Sequence, residues 1–369
     1  MFPLETYKSN MTELEQARFY FDLFLEKHRL SDGNNTAYDT LEGDYYFSQF
    51  SLHLIPVDSV EITESYAKEL REKVSGAESP SLNMTFPEKL ETFSKAKNQL
   101  EQRLSDICFS GNDGLSKDLM RVLLAGGKRL RPALSWAAYY LPEEGEKKAP
   151  ILPLMLMIEL MHSVSLIHDD VVDEGVLRRG VPTINASSGN LAAVKAGDFL
   201  LGRAMDLLKI YKGMGINERL AYVSEQMCLG ELEQLENINK EITVDQYKRR
   251  IERKTAYFIE AAAACGAMAA GAEEATIKCL ETYGYNMGMA FQIKDDILDI
   301  TGDERLGKAV LQDKNRGLIT LPQLLGVEKS EQEVKNYSLE AIAALDGLKE
   351  NSAKKDLVRM AKLFAERES

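Results

Sequence analysis

Apolar residues recur at helical spacing through nearly every long segment of the chain, and this pattern restricts its fold more than any other feature. Examples are "LLAGGKRLRPALSWAAYYL", "LPLMLMIELMHSVSLIH" and "ERKTAYFIEAAAACGAMAAGA". Apolar positions three and four apart form one face of a helix, whereas the alternating patterns typical of strands are scarce. The sequence therefore predicts an all-α fold. The alanine-rich run at residues 261–270 predicts a core helix that a neighbouring helix approaches closely.

A cluster of Gly, Ser and Pro at residues 76–87 predicts a linker. We therefore predict a helical N-terminal extension at residues 1–78, with helices near 11–28 and 41–54, and a catalytic domain at residues 79–369. The extension is small for an independent domain, so we expect it to pack on the rest of the chain or on a partner.

Composition excludes several classes of protein. The chain has 369 residues and a formal net charge of −13, which argues against nonspecific nucleic-acid binding. Its four cysteines have no CxxC spacing, so neither a zinc site nor a disulfide framework is predicted. The N-terminus lacks the pattern of a signal peptide, and the apolar segment 149–168 is interrupted by prolines and polar residues, unlike a membrane span. We expect a cytoplasmic protein without a transmembrane segment.

Two apolar helical segments each carry three aspartates with DDxxD spacing. "LIHDDVVDEG" and "FQIKDDILDI" supply Asp169, Asp170 and Asp173, and Asp295, Asp296 and Asp299. Residues four apart lie on one helix face, so the carboxylates crowd together. Crowded carboxylates favour a bound cation, and oxygen ligands suit Mg²⁺. A solvated acidic face is the alternative, but the apolar surroundings and the repetition favour a shared metal site.

Basic residues cluster in a pattern that suits phosphate. "AGGKRLRP" places Lys128, Arg129 and Arg131 directly after two glycines, and further basic residues are Arg178, Arg179, Lys254 and Lys308. The guanidinium fork of arginine matches phosphate oxygens. Carboxylate triads together with these cations predict a site for a polyanion, and a diphosphate fits best.

The motifs occur in the order found in trans-isoprenyl diphosphate synthases. They are "GGKRLRP", "LIHDDVVDEGVLRRGVPT", "AGDFL", "KTA", "FQIKDDILDITGD", "LGK" and "ITLP". Residues 86–369, about three quarters of the chain, resemble that family. The resemblance implies a helical bundle around a deep central cavity, in which the aspartate motifs hold Mg²⁺ on an allylic diphosphate. It also implies head-to-tail condensation with isopentenyl diphosphate, a homodimer, and peripheral membrane contact during product release.

The resemblance assigns roles to individual residues. The metal residues, which are also catalytic, would be Asp169, Asp170, Asp173, Asp295 and Asp296, with Asp299 in a supporting position. Isopentenyl diphosphate would be bound by Lys128, Arg131, His162 and Arg179. The allylic diphosphate would be bound by Arg178, Lys254 and Lys308, with Lys254 also catalytic. Thr255 and Gln292 would steady the cation and the second metal cluster. His168 is expected to be structural, and Arg129 is expected to be surface support.

Product length in such enzymes is limited by side chains below the first aspartate motif. Val164 and Ser165 stand five and four residues before Asp169, and neither is aromatic. This predicts a product of C20 or longer. Two departures from the family pattern are Leu311, where glycine is usual, and Leu318, where a second lysine often stands. The segment after Pro322 is also short for the family.

Several alternatives remain. A farnesyl or geranylgeranyl diphosphate synthase has the same chemistry with a shorter product. A class I terpene cyclase is disfavoured by the second DDxxD and by "GGKRLRP". A noncatalytic regulatory subunit is disfavoured because both aspartate motifs are intact. In the N-terminal extension, "LEGDYYFSQFSLHLI" faintly resembles component I of two-component heptaprenyl diphosphate synthases, and an unrelated helical extension is the alternative.

Overall fold

The computed structural model describes residues 93–108, 114–142, 149–301 and 316–365 of the protein. Most of these residues are helical, so the predicted all-α fold is confirmed. In this part of the chain the strands are confined to one hairpin, formed by β1 (Leu177–Arg178) and β2 (Val181–Pro182). The predicted N-terminal extension, its two helices and the linker at 76–87 lie outside the described residues.

The chain divides into two compact units that alternate along the sequence. The described residues of the first unit lie within Met1–Ala133 and Leu152–Ile210, and those of the second lie within Leu134–Ile151 and Tyr211–Ser369. This division within the predicted catalytic domain was not anticipated from the sequence.

The first unit is built around one long apolar helix. Its described helices are α1 (Phe93–Cys108), α2 (Gly114–Leu123), the start of α3 (Leu130–Tyr140), nearly all of α4 (Ile151–Val172), α5 (Ile184–Ser188) and α6 (Asn190–Leu208). A helix that is apolar on nearly all sides must be buried, and Leu154, Met157 and Leu160 of α4 have no exposed surface. Among the described helices, α4 alone is long and apolar enough to cross a membrane, but 72% of its most apolar stretch is buried inside the protein.

The second unit contains the remaining helices. They are the rest of α3, α7 (Ile216–Glu236), α8 (Val244–Ile251), a π-helical turn (Glu252–Ala256), α9 (Tyr257–Ala270), α10 (Glu274–Thr301), α11 (Leu321–Leu325), α12 (Val327–Ala343) and α13 (Ser352–Ala365). A 3₁₀ turn, Lys209–Tyr211, follows α6 and leads into this unit.

Local sequence explains where two short helices of the second unit begin. Thr243 caps α8: its side chain accepts the Gln246 N–H at 3.2 Å, and the Gln246 side chain accepts the Thr243 N–H at 2.8 Å. Thr320 and Gln323 form the same capping box at the start of α11. Each box satisfies amide groups that the first helical turn leaves without partners.

The alanine-rich run lies in α9, which packs along α10. Ala262, Ala263 and Ala264 have no exposed surface, so small side chains occupy the middle of the unit as predicted. A second group of fully buried side chains, Tyr247, Ile293, Leu321 and Val334, joins α8, α10, α11 and α12. Burial of each large apolar side chain contributes about 1.5–3 kcal/mol, which fixes the part of α10 that carries the second aspartate motif.

Candidate active site

The first aspartate motif lies at the C-terminal end of α4. Asp169 and Asp170 are in its last turn, and the Asp173 N–H continues the helical pattern by donating to the Asp169 carbonyl at 2.8 Å. The Asp170 residue is 4% exposed, whereas Asp169 and Asp173 are half-buried. The motif therefore has one buried carboxylate between two that are partly open to solvent.

The hairpin after α4 places Arg178 in contact with the buried Asp170. Its two-residue turn is formed by Arg179 and Gly180, both with positive φ (52° and 78°), as a type I′ turn requires. The preceding residue, Arg178, donates from Nε to both carboxylate oxygens of Asp170, at 2.8 and 2.9 Å. Arg178 Nη2 is also 2.7 Å from Asp170 Oδ1. The arginine predicted to bind substrate thus pairs with a predicted metal ligand.

Two polar side chains fix the turn between α4 and the hairpin. Thr183 donates its hydroxyl to the Gly175 carbonyl at 2.6 Å. Asn185 donates its amide to the carbonyls of Asp170 and Gly175, both at 3.0 Å. These bonds close the C-terminal end of α4 and hold the backbone of Asp170 in place.

The glycine pair of "GGKRLRP" makes room for the second arginine of the hairpin. Arg179 donates from Nη1 to the Gly126 carbonyl at 2.5 Å. Gly127 has φ +146°, and a Cβ there would lie 2.9 Å from Arg179 Nη1. A side chain at 127 would therefore displace the guanidinium, so the glycine permits the contact between the two motifs.

His162 and Arg131, both predicted to bind isopentenyl diphosphate, are in contact. Arg131 Nη1 is 3.2 Å from His162 Nε2. Burial, followed by the nearby cations Arg131, Arg179, Arg178 and Arg129, holds the pKa of His162 well below its ordinary value. The imidazole is therefore neutral near pH 7, and its Nε2 accepts from the arginine. The structure thus brings His162 together with Arg131, and the guanidinium of Arg179 contacts the loop that carries Lys128.

The prediction that Arg129 is surface support was wrong. Its side chain is fully buried and donates to Glu101 at 2.7 and 3.0 Å, to Glu159 at 2.5 Å and to the Leu123 carbonyl at 2.7 Å. Its backbone is left-handed, with φ +47°. Arg129 therefore anchors the "GGKRLRP" loop to α1 and α4. The positions of Lys128 and Arg131, which are predicted to bind substrate, depend on that anchor.

His168 is buried against α6, as expected for a structural residue. It is 2% exposed, and its Nε2 is 3.4 Å from the Val194 carbonyl. A Cβ on Gly197, the glycine of "AGDFL", would lie 2.0 Å from His168 Nε2. The motif therefore supplies the space that this histidine occupies directly beside Asp169.

The residues expected to influence product length lie about one turn before the aspartates along α4. Val164 is 7% exposed, and Ser165 is half-buried with its hydroxyl donating to the His162 carbonyl at 2.9 Å. Both side chains are small.

In the second unit, the "KTA" motif lies in the π-helical turn. Such turns occur often at functional sites because the extra residue redirects side chains. Lys254 forms an ion pair with Glu231 of α7, which is 3% exposed. Gln234 Nε2 donates to the other Glu231 oxygen at 2.8 Å. Lys254 is thus positioned by a buried carboxylate that the sequence analysis did not identify.

The buried aspartate of the second motif is held by neutral donors. Asp296 is 4% exposed, and Tyr247 donates its hydroxyl to Oδ2 at 2.6 Å. Gln292 Nε2 donates to Oδ1 at 2.9 Å, and Gln292 Oε1 accepts the Thr255 hydroxyl at 2.8 Å. Both predicted polar residues therefore belong to a chain that ends on Asp296, while Asp295 and Asp299 are half-buried.

A cavity of about 100 Å³ opens beside this chain within the second unit. Its lining includes four of the residues that the sequence singled out, Lys254, Thr255, Gln292 and Asp296. Cations and hydrogen-bonding groups dominate the wall, as a polyanion requires.

Comparison with known proteins decides the family. The family model described as polyprenyl synthetase matches residues 113–361, two thirds of the chain. The chain belongs to the polyprenyl synthetase family. The predicted family is therefore confirmed, with the match lying inside the region of the predicted catalytic domain.

Relatives of this chain within the polyprenyl synthetase family include synthases that make products of different lengths. Heptaprenyl diphosphate synthase component 2 of Bacillus subtilis is 37% identical over 62% of the chain, and the match spans 66% of its own length, just under two thirds. Farnesyl diphosphate synthase of Bacillus subtilis is 35% identical over 67% of the chain and 86% of its own length. Both are prenyl diphosphate synthases, the enzyme class predicted from the sequence.

A solved structure shows the same fold. The polyprenyl synthase of Caulobacter crescentus, in complex with calcium and isoprenyl diphosphate, has a TM-score of 0.68 and 26% sequence identity. The likeness covers 85% of this chain and 100% of that one. The isoprenoid-synthase fold expected from the motifs is therefore confirmed.

The donor chemistry of both motifs fits Mg²⁺. Their side chains offer only oxygen donors, and each motif has a half-buried pair of aspartates four residues apart. Within the described residues, no group of three or more His, Cys, Asp or Glu side chains is gathered around one point. Asp170 is paired with Arg178, so a metal ion at this motif would compete with the guanidinium for the carboxylate oxygens.

Several functional candidates escaped the sequence analysis. Tyr247, Glu231 and Arg250 are buried polar residues of the second unit, and they carry no recognisable motif. A buried polar position within a helical pattern is the one signal that could have identified them. Lys308, predicted to bind the allylic diphosphate, and Leu311 lie outside the described residues.

Proposed function

We propose that the protein is a Mg²⁺-dependent prenyltransferase that joins isopentenyl diphosphate to an allylic diphosphate, head to tail. The product would be a trans-polyprenyl diphosphate of C20 or longer. The arrangement that carries this proposal is the arginine–histidine cluster of the first unit, in which the motif "GGKRLRP" meets α4 and the hairpin beside an aspartate motif. Such a cluster serves a diphosphate because arginine offers several donors to phosphate oxygens.

Isopentenyl diphosphate would bind to Lys128, Arg131, His162 and Arg179. The neutral imidazole of His162 accepts from Arg131, which orients the guanidinium without adding a competing positive charge. Arg179 is held against the glycine pair of the loop by the Gly126 carbonyl. Arg131, His162 and Arg179 are therefore held in place before the substrate arrives, which lowers the cost of binding.

The allylic diphosphate would bind to Arg178, Lys254 and Lys308. Asp169, Asp170, Asp173, Asp295 and Asp296 would hold Mg²⁺, with Asp299 in support. When bound, Mg²⁺ neutralises charge on the leaving diphosphate. The allylic C–O bond then breaks, the C4 double bond of isopentenyl diphosphate attacks the allylic carbon, and a proton leaves, which we assign to the departed diphosphate. The Gln292 amide bonds to Thr255 through its oxygen and to Asp296 through its nitrogen, so Gln292 orients Asp296. Contact of Thr255 and Gln292 with the carbocation stays a prediction.

Arg178 would exchange its partner, Asp170, for the diphosphate when the allylic substrate binds. A guanidinium bound to a carboxylate is stable until a stronger anion competes for it. An incoming diphosphate carries more negative charge than one carboxylate, so it draws Arg178 away and exposes the oxygens of Asp170. Arg178 and Asp170 would in this way perform their two separate roles.

The proposed product length rests on Val164 and Ser165, because both side chains are small and neither is aromatic. We also propose that the protein is a cytoplasmic homodimer with peripheral membrane contact during product release, as the family resemblance implies. Light scattering at several protein concentrations would test the dimer, and fractionation of cells would test the location.

The decisive experiment supplies labelled isopentenyl diphosphate, Mg²⁺ and primers of different lengths, and separates the products by chromatography. Asp169→Ala and Asp295→Ala should abolish condensation while circular dichroism stays helical. Asp346→Ala, an exposed aspartate between α12 and α13, is the matched control and should keep wild-type turnover. Wild-type turnover by either motif variant would refute the metal assignment.

The same incubation separates the alternatives. A farnesyl or geranylgeranyl product as the end point would show a short-chain synthase. A folded protein that makes no product alone, but changes the product of an added synthase, would show a noncatalytic subunit.

A further inference from the structure

The cavity of the second unit contains cations that no motif accounts for. Besides Lys254 and Asp296, its wall includes Arg250, Arg316 and Leu318. Three basic side chains and one carboxylate therefore line a cavity of about 100 Å³. An excess of positive charge around a small polar cavity favours an anion.

The segment that carries Arg316 is held firmly against the second unit. The Asn239 N–H donates to the Gly317 carbonyl at 2.9 Å. Gly317 has φ +72°, and a Cβ there would lie 2.1 Å from Asn239 Oδ1, so glycine is required at this contact. Two residues later, the Ile319 carbonyl accepts from Arg250 Nη2 at 2.8 Å. Both contacts fix the backbone on either side of Leu318.

Arg250 serves mainly as an anchor for this segment. It is 5% exposed, and its guanidinium lies 5.4 Å from the centre of the Tyr247 ring. Lys254, the second cation, already pairs with the buried Glu231. Arg316 differs from both because it is exposed, so its long side chain is accessible to a ligand from solvent.

Leu318 is an apolar neighbour of Arg316 in the cavity wall. Leu318 is 5% exposed and lines the same cavity, two residues from Arg316. An apolar side chain at this point of the wall contributes no charge to an anion. We infer that Arg316 binds the diphosphate of the allylic substrate in this cavity and supplies the positive charge that Leu318 does not. This inference rests on the proposed function and adds a binding residue to it.

Arg316→Gln tests the inference because it removes the charge at an exposed position and leaves the anchors intact. The KM for the allylic diphosphate should rise roughly tenfold, the typical loss for a hydrogen bond to a charged group, while the KM for isopentenyl diphosphate stays unchanged. Arg249→Gln is the matched control: Arg249 is an exposed arginine of α8 outside the cavity lining, and the variant should behave as wild type.

A second variant restores the charge from the neighbouring wall position. Arg316→Gln combined with Leu318→Lys should recover most of the lost affinity, because the lysine would extend into the same cavity. A merely structural role for Arg316 would give no such recovery. Equal KM values for Arg316→Gln and Arg249→Gln, or no recovery in the double variant, would overturn the inference.

A binding measurement separates this inference from the proposed function. Calorimetric titration of each variant with inorganic diphosphate and Mg²⁺ should show weaker binding for Arg316→Gln than for Arg249→Gln. Equal binding would overturn the role of Arg316 even where the wild type is an active synthase. A wild type that makes no product would overturn the proposed function, while weaker diphosphate binding by Arg316→Gln would still support the cavity as an anion site.

Discussion

Replacing Arg129 with methionine should destabilise the first unit strongly. The Arg129 side chain is 0% exposed and that of Glu159 is 3% exposed, so the variant leaves a buried carboxylate without its cation. Removing one partner of a buried ion pair costs about 3–5 kcal/mol of unfolding free energy. The second carboxylate partner, Glu101, is 30% exposed and adds little, about 0–1 kcal/mol. Methionine suffers the same left-handed strain at φ +47° as arginine, so backbone strain cancels from the comparison.

Two control variants separate the charge effect from packing. Glu101→Gln should lower the unfolding free energy by no more than about 1 kcal/mol, because that carboxylate is partly solvated. The double variant Arg129→Met with Glu159→Met should recover most of the loss, because it leaves no unpaired buried charge.

Urea unfolding followed by circular dichroism measures these differences, and hydrogen exchange locates them. Faster exchange should appear in α1 and in the middle of α4, while peptides from α9 and α10 keep the protection they have in the wild type. Condensation by Arg129→Met should also show a higher KM for isopentenyl diphosphate, since the anchor of Lys128 and Arg131 is lost. An unfolding free energy for Arg129→Met within about 1 kcal/mol of wild type would contradict the role of this ion pair, as would a double variant no more stable than the single one.

Gly197→Ala should lower the unfolding free energy by about 1–3 kcal/mol, because the added methyl group would clash with His168. Gly202→Ala, on the same helix, meets nothing within 4 Å and should be neutral or stabilising. Thermal unfolding of both variants measures the difference. Tyr247→Phe removes a donor to Asp296 and should raise the Mg²⁺ concentration for half-maximal activity roughly threefold to tenfold, with unchanged helicity; an unchanged Mg²⁺ requirement would argue against a positioning role. Burial raises the pKa of Glu260 from 4.5 to about 7, so the folded state binds the proton more tightly, and the resulting stability is lost as pH rises from 4.5 to about 7. Urea titrations across that range should show this decline, and Glu260→Gln should remove it.

The sequence predicted those parts of the site that depend on local spacing. Helical periodicity gave the fold class, and DDxxD spacing gave the two carboxylate clusters, because both patterns are set within a few turns of one helix. The contact between Arg178 and Asp170 is also local, spanning eight residues through a tight turn. It escaped prediction because the resemblance assigned the two side chains to different ligands.

Contacts between distant segments could not be predicted from one sequence. The bond between Arg129 and Glu159 joins residues 30 apart, and the bond between Tyr247 and Asp296 joins residues 49 apart. The arginine in a basic run carries no sign of burial, and the helical pattern around the tyrosine does not name its partner, because tertiary packing decides which side chains meet.

The two aspartate motifs have the same spacing, but different groups donate hydrogen bonds to their buried carboxylates. Asp170 is paired with a guanidinium, so its negative charge is largely neutralised until Arg178 leaves. Asp296 accepts hydrogen bonds from a phenol and an amide, which orient the carboxylate, and Arg250, Lys254 and Arg316 line the cavity beside it. Identical sequence patterns therefore give one buried carboxylate that is paired directly with a guanidinium and another that is oriented by neutral donors beside a cavity lined by cations. Under the proposed function, the allylic diphosphate would compete with Asp170 for Arg178, so diphosphate binding would favour cation binding at the first motif.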